Sequence, residues 1–153
     1  YGTTFKVFLP RVDEPAIGLP QPSYASQRIS GNETVLLVED EQVVRDLASR
    51  VLCEHGYSVL EAANGIAAIG VAQEYGARPI DLLLTDVIMP HMNGKALADQ
   101  IVSMRPGTKV LYMSGYTDNV LAQNQQLGLE MAILQKPFSS TALLRKVREV
   151  LDL

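Results

Sequence analysis

The chain has 153 residues, of which 47% are hydrophobic and 20% charged, a balance that suits one ordinary domain with a sizeable core and argues against general disorder or a fibrous repeat. Lys and Arg number 13 against 17 Asp and Glu, so the formal net charge of −4 sets up a field that repels phosphate backbones and argues against nucleic acid as a partner. No run approaches the ~18 apolar residues needed to cross a bilayer, since even Ile80 to Pro90 is interrupted by Asp81, Thr85 and Asp86, and no membrane contact is expected of this segment.

The first ten residues, Tyr1 to Pro10, alternate polar and apolar side chains as one half-buried strand does. Residues 11–33 follow, punctuated by Pro15, Pro20 and Pro22 and containing Gly18, Ser23, Ser26, Ser30 and Gly31, a composition that reads as a linker. Residues 34–153 then match one compact domain. Its short apolar runs, Val35 to Val38, Val59-Leu60, Leu82 to Leu84, Val110 to Met113 and Met131 to Leu134, predict five strands. Runs without polar alternation indicate strands buried on both faces, as parallel strands are when helices cover both sides of a sheet.

Five helical segments lie between and after these runs. Val43, Val44, Leu47, Val51 and Leu52 share one face of the first, with Gly56 just past its end. Asn64 is placed to cap the second, Asn93 the third, Thr117 the fourth and Ser139 or Ser140 the fifth. Cys53 cannot form an internal disulfide, and it reads with the five methionines as a core filler. With no basic-then-apolar signal segment at its start, the segment is expected to be cytoplasmic, any membrane anchor of a longer parent chain lying upstream. A (βα)5 order predicts an α/β fold, a doubly wound five-stranded parallel sheet whose ligands sit at the carboxyl ends of the strands.

Those strand ends carry Glu39-Asp40-Glu41, then Thr85-Asp86, Ser114-Gly115 and Lys136-Pro137. The acids Glu39, Asp40 and Asp86, a hydroxyl and an amine thus converge on one rim. Ionised carboxylates within ~5 Å repel by roughly 3 kcal/mol per pair at an effective dielectric near 20, which a hard divalent cation offsets. A carboxylate can act as a nucleophile towards phosphorus, and positioning plus electrostatics supply most of the catalysis of phosphoryl transfer.

The segments Val35 to Glu41, Leu84 to Pro90, Met113 to Tyr116 and Lys136 to Phe138 resemble, in that order, the receiver domain of two-component response regulators. The resemblance covers residues 34–153 and implies a flavodoxin-like receiver fold. It implies that Asp86 is the phosphoacceptor, taking its phosphoryl group from a phosphohistidine. It makes Asp40, Asp86 and the Ile88 backbone carbonyl ligands of Mg²⁺ (or Mn²⁺), with Glu39 acting through water. Ser114 becomes the switch hydroxyl and Lys136 the phosphoryl-binding amine, with a cis peptide expected at Lys136-Pro137. The implied partner is a histidine kinase dimerisation and phosphotransfer domain or a histidine phosphotransfer protein. Ile133 stands where the family usually has an aromatic switch residue. Ile88 and Tyr116 flank the expected path of hydrolytic water and carry no group suited to orienting it, which implies slow dephosphorylation.

Residues 1–10 also resemble the closing strand of histidine kinase ATP-binding domains, and that strand, a linker and a receiver in series imply a hybrid kinase as the parent chain. A receiver is not a turnover enzyme in itself. One rival is an aspartate-nucleophile phosphatase of the haloacid dehalogenase type, which needs a second Asp where this chain has Ile88; another is a pseudo-receiver that binds a partner without phosphorylation.

Overall fold

The computed structural model describes Lys6, residues 29–115 and residues 131–153. Strands β1 (Thr34–Val38), β2 (Ser58–Ala62), β3 (Leu82–Asp86), β4 (Lys109–Ser114) and β5 (Ile133–Gln135) form one sheet in the order β2-β1-β3-β4-β5, every pairing parallel. Helices α1 (Gln42–Glu54), α2 (Gly65–Glu74), α3 (Gly94–Met104) and α4 (Ser140–Leu151) cover it. All five residues of β1 are buried, as are Leu82 to Thr85 of β3, because helices lie on both faces. The two-residue period of each strand divides the core. Val35, Leu37, Leu82, Leu84, Leu111 and Met113 pack with Leu52 of α1 and Leu143, Leu144 and Val147 of α4. Leu36, Val38, Leu83 and Tyr112 pack with Ala68 and Ala72 of α2 and Leu97 and Ile101 of α3.

Helix boundaries follow local chemistry. Asn64 Oδ1 accepts from the Ala67 amide, Asn93 Oδ1 from Ala96 and Ser139 Oγ from Ala142, so three helices start on the capping residues that the sequence offers. Gly56 follows the C-cap of α1 with φ 94°, a conformation that costs little only for glycine. The Lys136-Pro137 peptide is cis, as expected.

Several expectations need correction. Val43 is 74% and Leu47 53% exposed, so the buried face of α1 is Ala48, Val51 and Leu52, and the other two form a neighbouring stripe one step around the helix that faces outward. Cys53, near the end of α1, is exposed, and Met104 is 42% exposed, so neither is a core filler. β5 starts at Ile133; Met131 and Ala132 precede it, the Ala132 carbonyl accepting from the Tyr112 amide. The strand expected in residues 1–10, most of the linker, and the fourth predicted helix with its Thr117 cap fall outside the described residues.

Residues 31–33 are already fastened to the domain. The Gly31 amide donates to the His55 carbonyl at 3.1 Å, and the Ser58 amide to the Glu33 carbonyl at 3.0 Å. The Glu33 carboxylate meets the Arg148 guanidinium of α4 at 2.8 Å, and Arg148 also grips Asp152 at 2.9 Å. Burial alone would raise the Glu33 carboxyl, but Arg148 and nearby backbone amides hold it below the usual carboxylate range.

Candidate functional site

Each chemical group sits where a buried strand runs out into a loop at the carboxyl edge. β1 ends at Val38, so Glu39 and Asp40 emerge at the rim, and β3 ends on Asp86 beside them. Carboxylate oxygens of Glu39, Asp40 and Asp86 lie within 4.8 Å of one another. From beyond β5, Lys136 Nζ bridges two of them, donating to Glu39 Oε2 and Asp86 Oδ2 at 2.6 Å each.

The electrostatics follow from burial. The Glu39 side chain is only 1% exposed; that burial raises its carboxyl above the ordinary range, the ammonium of Lys136 pulling it back only in part and the Asp86 charge adding to the rise. Lys136 is affected the opposite way. Burial would depress the amine, but the two carboxylates on it more than reverse this and hold it protonated. One ammonium thus serves two of the three carboxylates, and the site retains an excess of negative charge.

The Asp86 carboxylate is fixed in orientation. Its Oδ2 accepts from Lys136 and its Oδ1 from the Ile88 amide at 3.1 Å, while its own carbonyl accepts from the Thr85 hydroxyl at 3.0 Å. The Ile88 side chain is 65% exposed at the mouth of the site. Ser114 is buried at the end of β4, where its hydroxyl donates to the Gly115 carbonyl at 3.2 Å and its own carbonyl accepts from the Lys136 amide at 2.7 Å. The structure therefore gathers Glu39, Asp40, Asp86 and Lys136 directly and places Ser114 next to them through backbone; Tyr116 lies outside the described residues.

Sequence reasoning missed two contributors. Gly94 opens α3 against the Asp86 peptide: a Cβ there would overlap the Asp86 carbonyl oxygen and stand 3.0 Å from its carbonyl carbon, so the phosphoacceptor candidate and the helix can meet only through glycine. Its signal in the sequence is a poor helix former directly behind a good cap, Asn93. The second is Arg45, whose Nη1 donates to the Glu39 carbonyl at 2.6 Å; it looks like any exposed helix arginine until the fold is known.

The family model for the response regulator receiver domain matches residues 35–148. The chain belongs to that family. It is 38% identical to the Sensor kinase CckA of Brucella abortus across 99% of this chain but only 17% of that kinase. It is also 31% identical to the Response regulator receiver protein CpdR of Brucella abortus, over 76% of this chain and 95% of CpdR. The solved receiver domain of the hybrid histidine kinase CckA superposes with a TM-score of 0.59 at 33% identity, covering 77% of this chain and 98% of that one. A receiver domain from Clostridium thermocellum superposes at 0.68 with 22% identity, which supports the flavodoxin-like fold alone. This is therefore a phosphoacceptor receiver domain of the two-component phosphorelay class, with the acid cluster of its family.

Proposed function

We propose that Asp86 is the residue phosphorylated, by attack of its carboxylate on the phosphorus of a phosphohistidine: a new P–O bond forms, the P–N bond breaks, and the imidazole leaves. The observation that carries this is the two-point hold on Asp86, from Lys136 on one oxygen and the Ile88 amide on the other, which fixes the nucleophile beside an ammonium able to follow the transferring charge. Lys136 binds the phosphoryl oxygens, and Ser114 is the hydroxyl that takes up the remaining one and reports the event to the rest of the domain.

The donor set fits a hard divalent cation, because oxygens of Glu39, Asp40 and Asp86 converge with no nitrogen or sulfur among them and one ammonium leaves their charge uncompensated. Asp40, Asp86 and the Ile88 carbonyl would hold Mg²⁺ (or Mn²⁺), with Glu39 reaching it through water. Bound there, the ion neutralises charge that develops on the phosphoryl group. The rival phosphatase reading needs a carboxylate two residues after Asp86, and the side chain at that position is the outward-facing Ile88.

For a partner we propose a helical histidine kinase or phosphotransfer domain. Val43 and Leu47 face outward on the helix that starts at the acid loop, and Ile88 is exposed beside Asp86, so an apolar rim borders the site. The likeness to Sensor kinase CckA across 99% of this chain supports a parent that is a hybrid kinase, with residues 1–10 closing its ATP-binding domain and residues 11–30 as linker, shorter than the expected 11–33 because residues 31–33 are bonded to the receiver.

Intact mass after acetyl phosphate treatment with Mg²⁺ tests the reading. One phosphoryl mass should appear in the wild type, vanish in Asp86→Asn and fall sharply in Asp40→Ala. Absence of the gain, or its persistence in Asp86→Asn, overturns the assignment.

A further inference from the structure

The acid loop is held from behind by a network that reaches no carboxylate of the site directly. Glu39 and Asp40 share a peptide group, and the oxygen of that group accepts from Arg45 Nη1 at 2.6 Å. The amide on the other side of Glu39 donates to the Ala62 carbonyl of β2 at 3.2 Å, and the Arg45 amide donates to the Glu41 carbonyl at 3.0 Å. The Arg45 side chain, 15% exposed, is steadied in turn by Glu61 of β2, whose Oε2 lies 3.9 Å from Arg45 Nε while its Oε1 accepts from the Ser49 hydroxyl at 2.6 Å.

From this geometry we infer that Arg45 is a positioning residue for Asp40, and that Glu61 and Ser49 keep it in place. The plane of the Glu39-Asp40 peptide sets the direction in which the Asp40 side chain leaves the backbone. Asp40 itself is exposed, and no hydrogen bond or ion pair of its side chain is seen among the described residues. Its aim thus depends on the peptide that Arg45 holds. A charge-assisted bond from a guanidinium is about twice as strong as a neutral one, which suits it to hold a loop where carboxylates repel. Outer-shell partners of metal ligands typically cost 10–100-fold in affinity when removed. The inference rests on the proposed metal role of Asp40.

The test is a Mg²⁺ titration of the whole chain by calorimetry, paired with acetyl phosphate phosphorylation across Mg²⁺ concentrations. Arg45→Ala should raise the half-saturating Mg²⁺ concentration about 10-fold and leave the rate at saturating Mg²⁺ within about twofold. Arg45→Lys, with a single donor able to reach the same carbonyl, should recover part of the loss. In an Asp40→Ala background, Arg45→Ala should add nothing. A merely structural role would lower the unfolding temperature without moving the Mg²⁺ dependence. If Arg45→Ala does not fold, Glu61→Gln must show the shift instead, by at least about threefold. Unchanged Mg²⁺ dependence in the folded variant, or equal losses with and without Asp40, overturns the inference. If the wild type itself needs no Mg²⁺, or Asp40→Ala matches it, the metal reading falls and the role of Arg45 falls with it.

Discussion

Gly94→Ala offers a direct probe of how tightly Asp86, the proposed phosphoacceptor, is held. The added methyl would overlap the Asp86 carbonyl oxygen and stand 3.0 Å from its carbon and 3.2 Å from Val87 Cα, whereas carbon atoms rest at roughly 3.5–4.0 Å. All three are backbone atoms, so no rotamer change relieves the overlap; either the start of α3 or Asp86 must move by about 1 Å. Overpacking of this kind costs about 1–3 kcal/mol of stability, and a displacement of about 1 Å in a reacting group costs roughly 100-fold in rate, near 2.7 kcal/mol of barrier. Gly70→Ala is the control, since a Cβ at this half-buried position of α2 meets nothing within 4 Å and should stabilise the helix by about 0.5–1 kcal/mol. Phosphorylation by acetyl phosphate would be followed by intact mass, with urea unfolding alongside. A Gly94→Ala protein phosphorylated within threefold of the wild-type rate would refute the claim that this contact sets the position of Asp86.

Two further outcomes are expected. The Glu33 carboxyl is held below its ordinary value of 4.5, so the stability that it contributes is fully present above that pH and is lost as pH falls through its lower folded value. Glu33→Gln should therefore cost roughly 1–2 kcal/mol at pH 7 and progressively less as pH falls below 4.5, and urea unfolding that shows the same loss at pH 7 and under acid conditions would contradict the pairing with Arg148. Ile88→Asn combined with Tyr116→Glu should speed phosphate loss ~10-fold, equivalent to about 1.4 kcal/mol, by supplying polar groups near the incoming water; equal or slower loss after donor removal would show that these positions do not govern it.

What could be read from the sequence was whatever a local pattern expresses. Val35 to Val38 without a polar residue means a strand covered on both faces, and parallel strands bring their carboxyl ends together, so Asp40, Asp86 and Lys136 could be placed on one rim before any distance was known. Where two structures share one pattern, the sequence is silent. Val43 and Leu47 repeat at helical spacing as core residues do, yet they face solvent: periodicity reports that a helix has an apolar stripe, and only packing decides whether this protein or a partner covers it. Glu33 belongs by composition to the linker, but a carboxylate can be drawn into a domain by one arginine more than a hundred residues away, and no local pattern encodes that pairing. Arg45 is the clearest case. It acts on a carbonyl, which every residue has, so nothing in its partner marks the contact, and its role becomes visible only once α1 is laid against β2 with the acid loop between them.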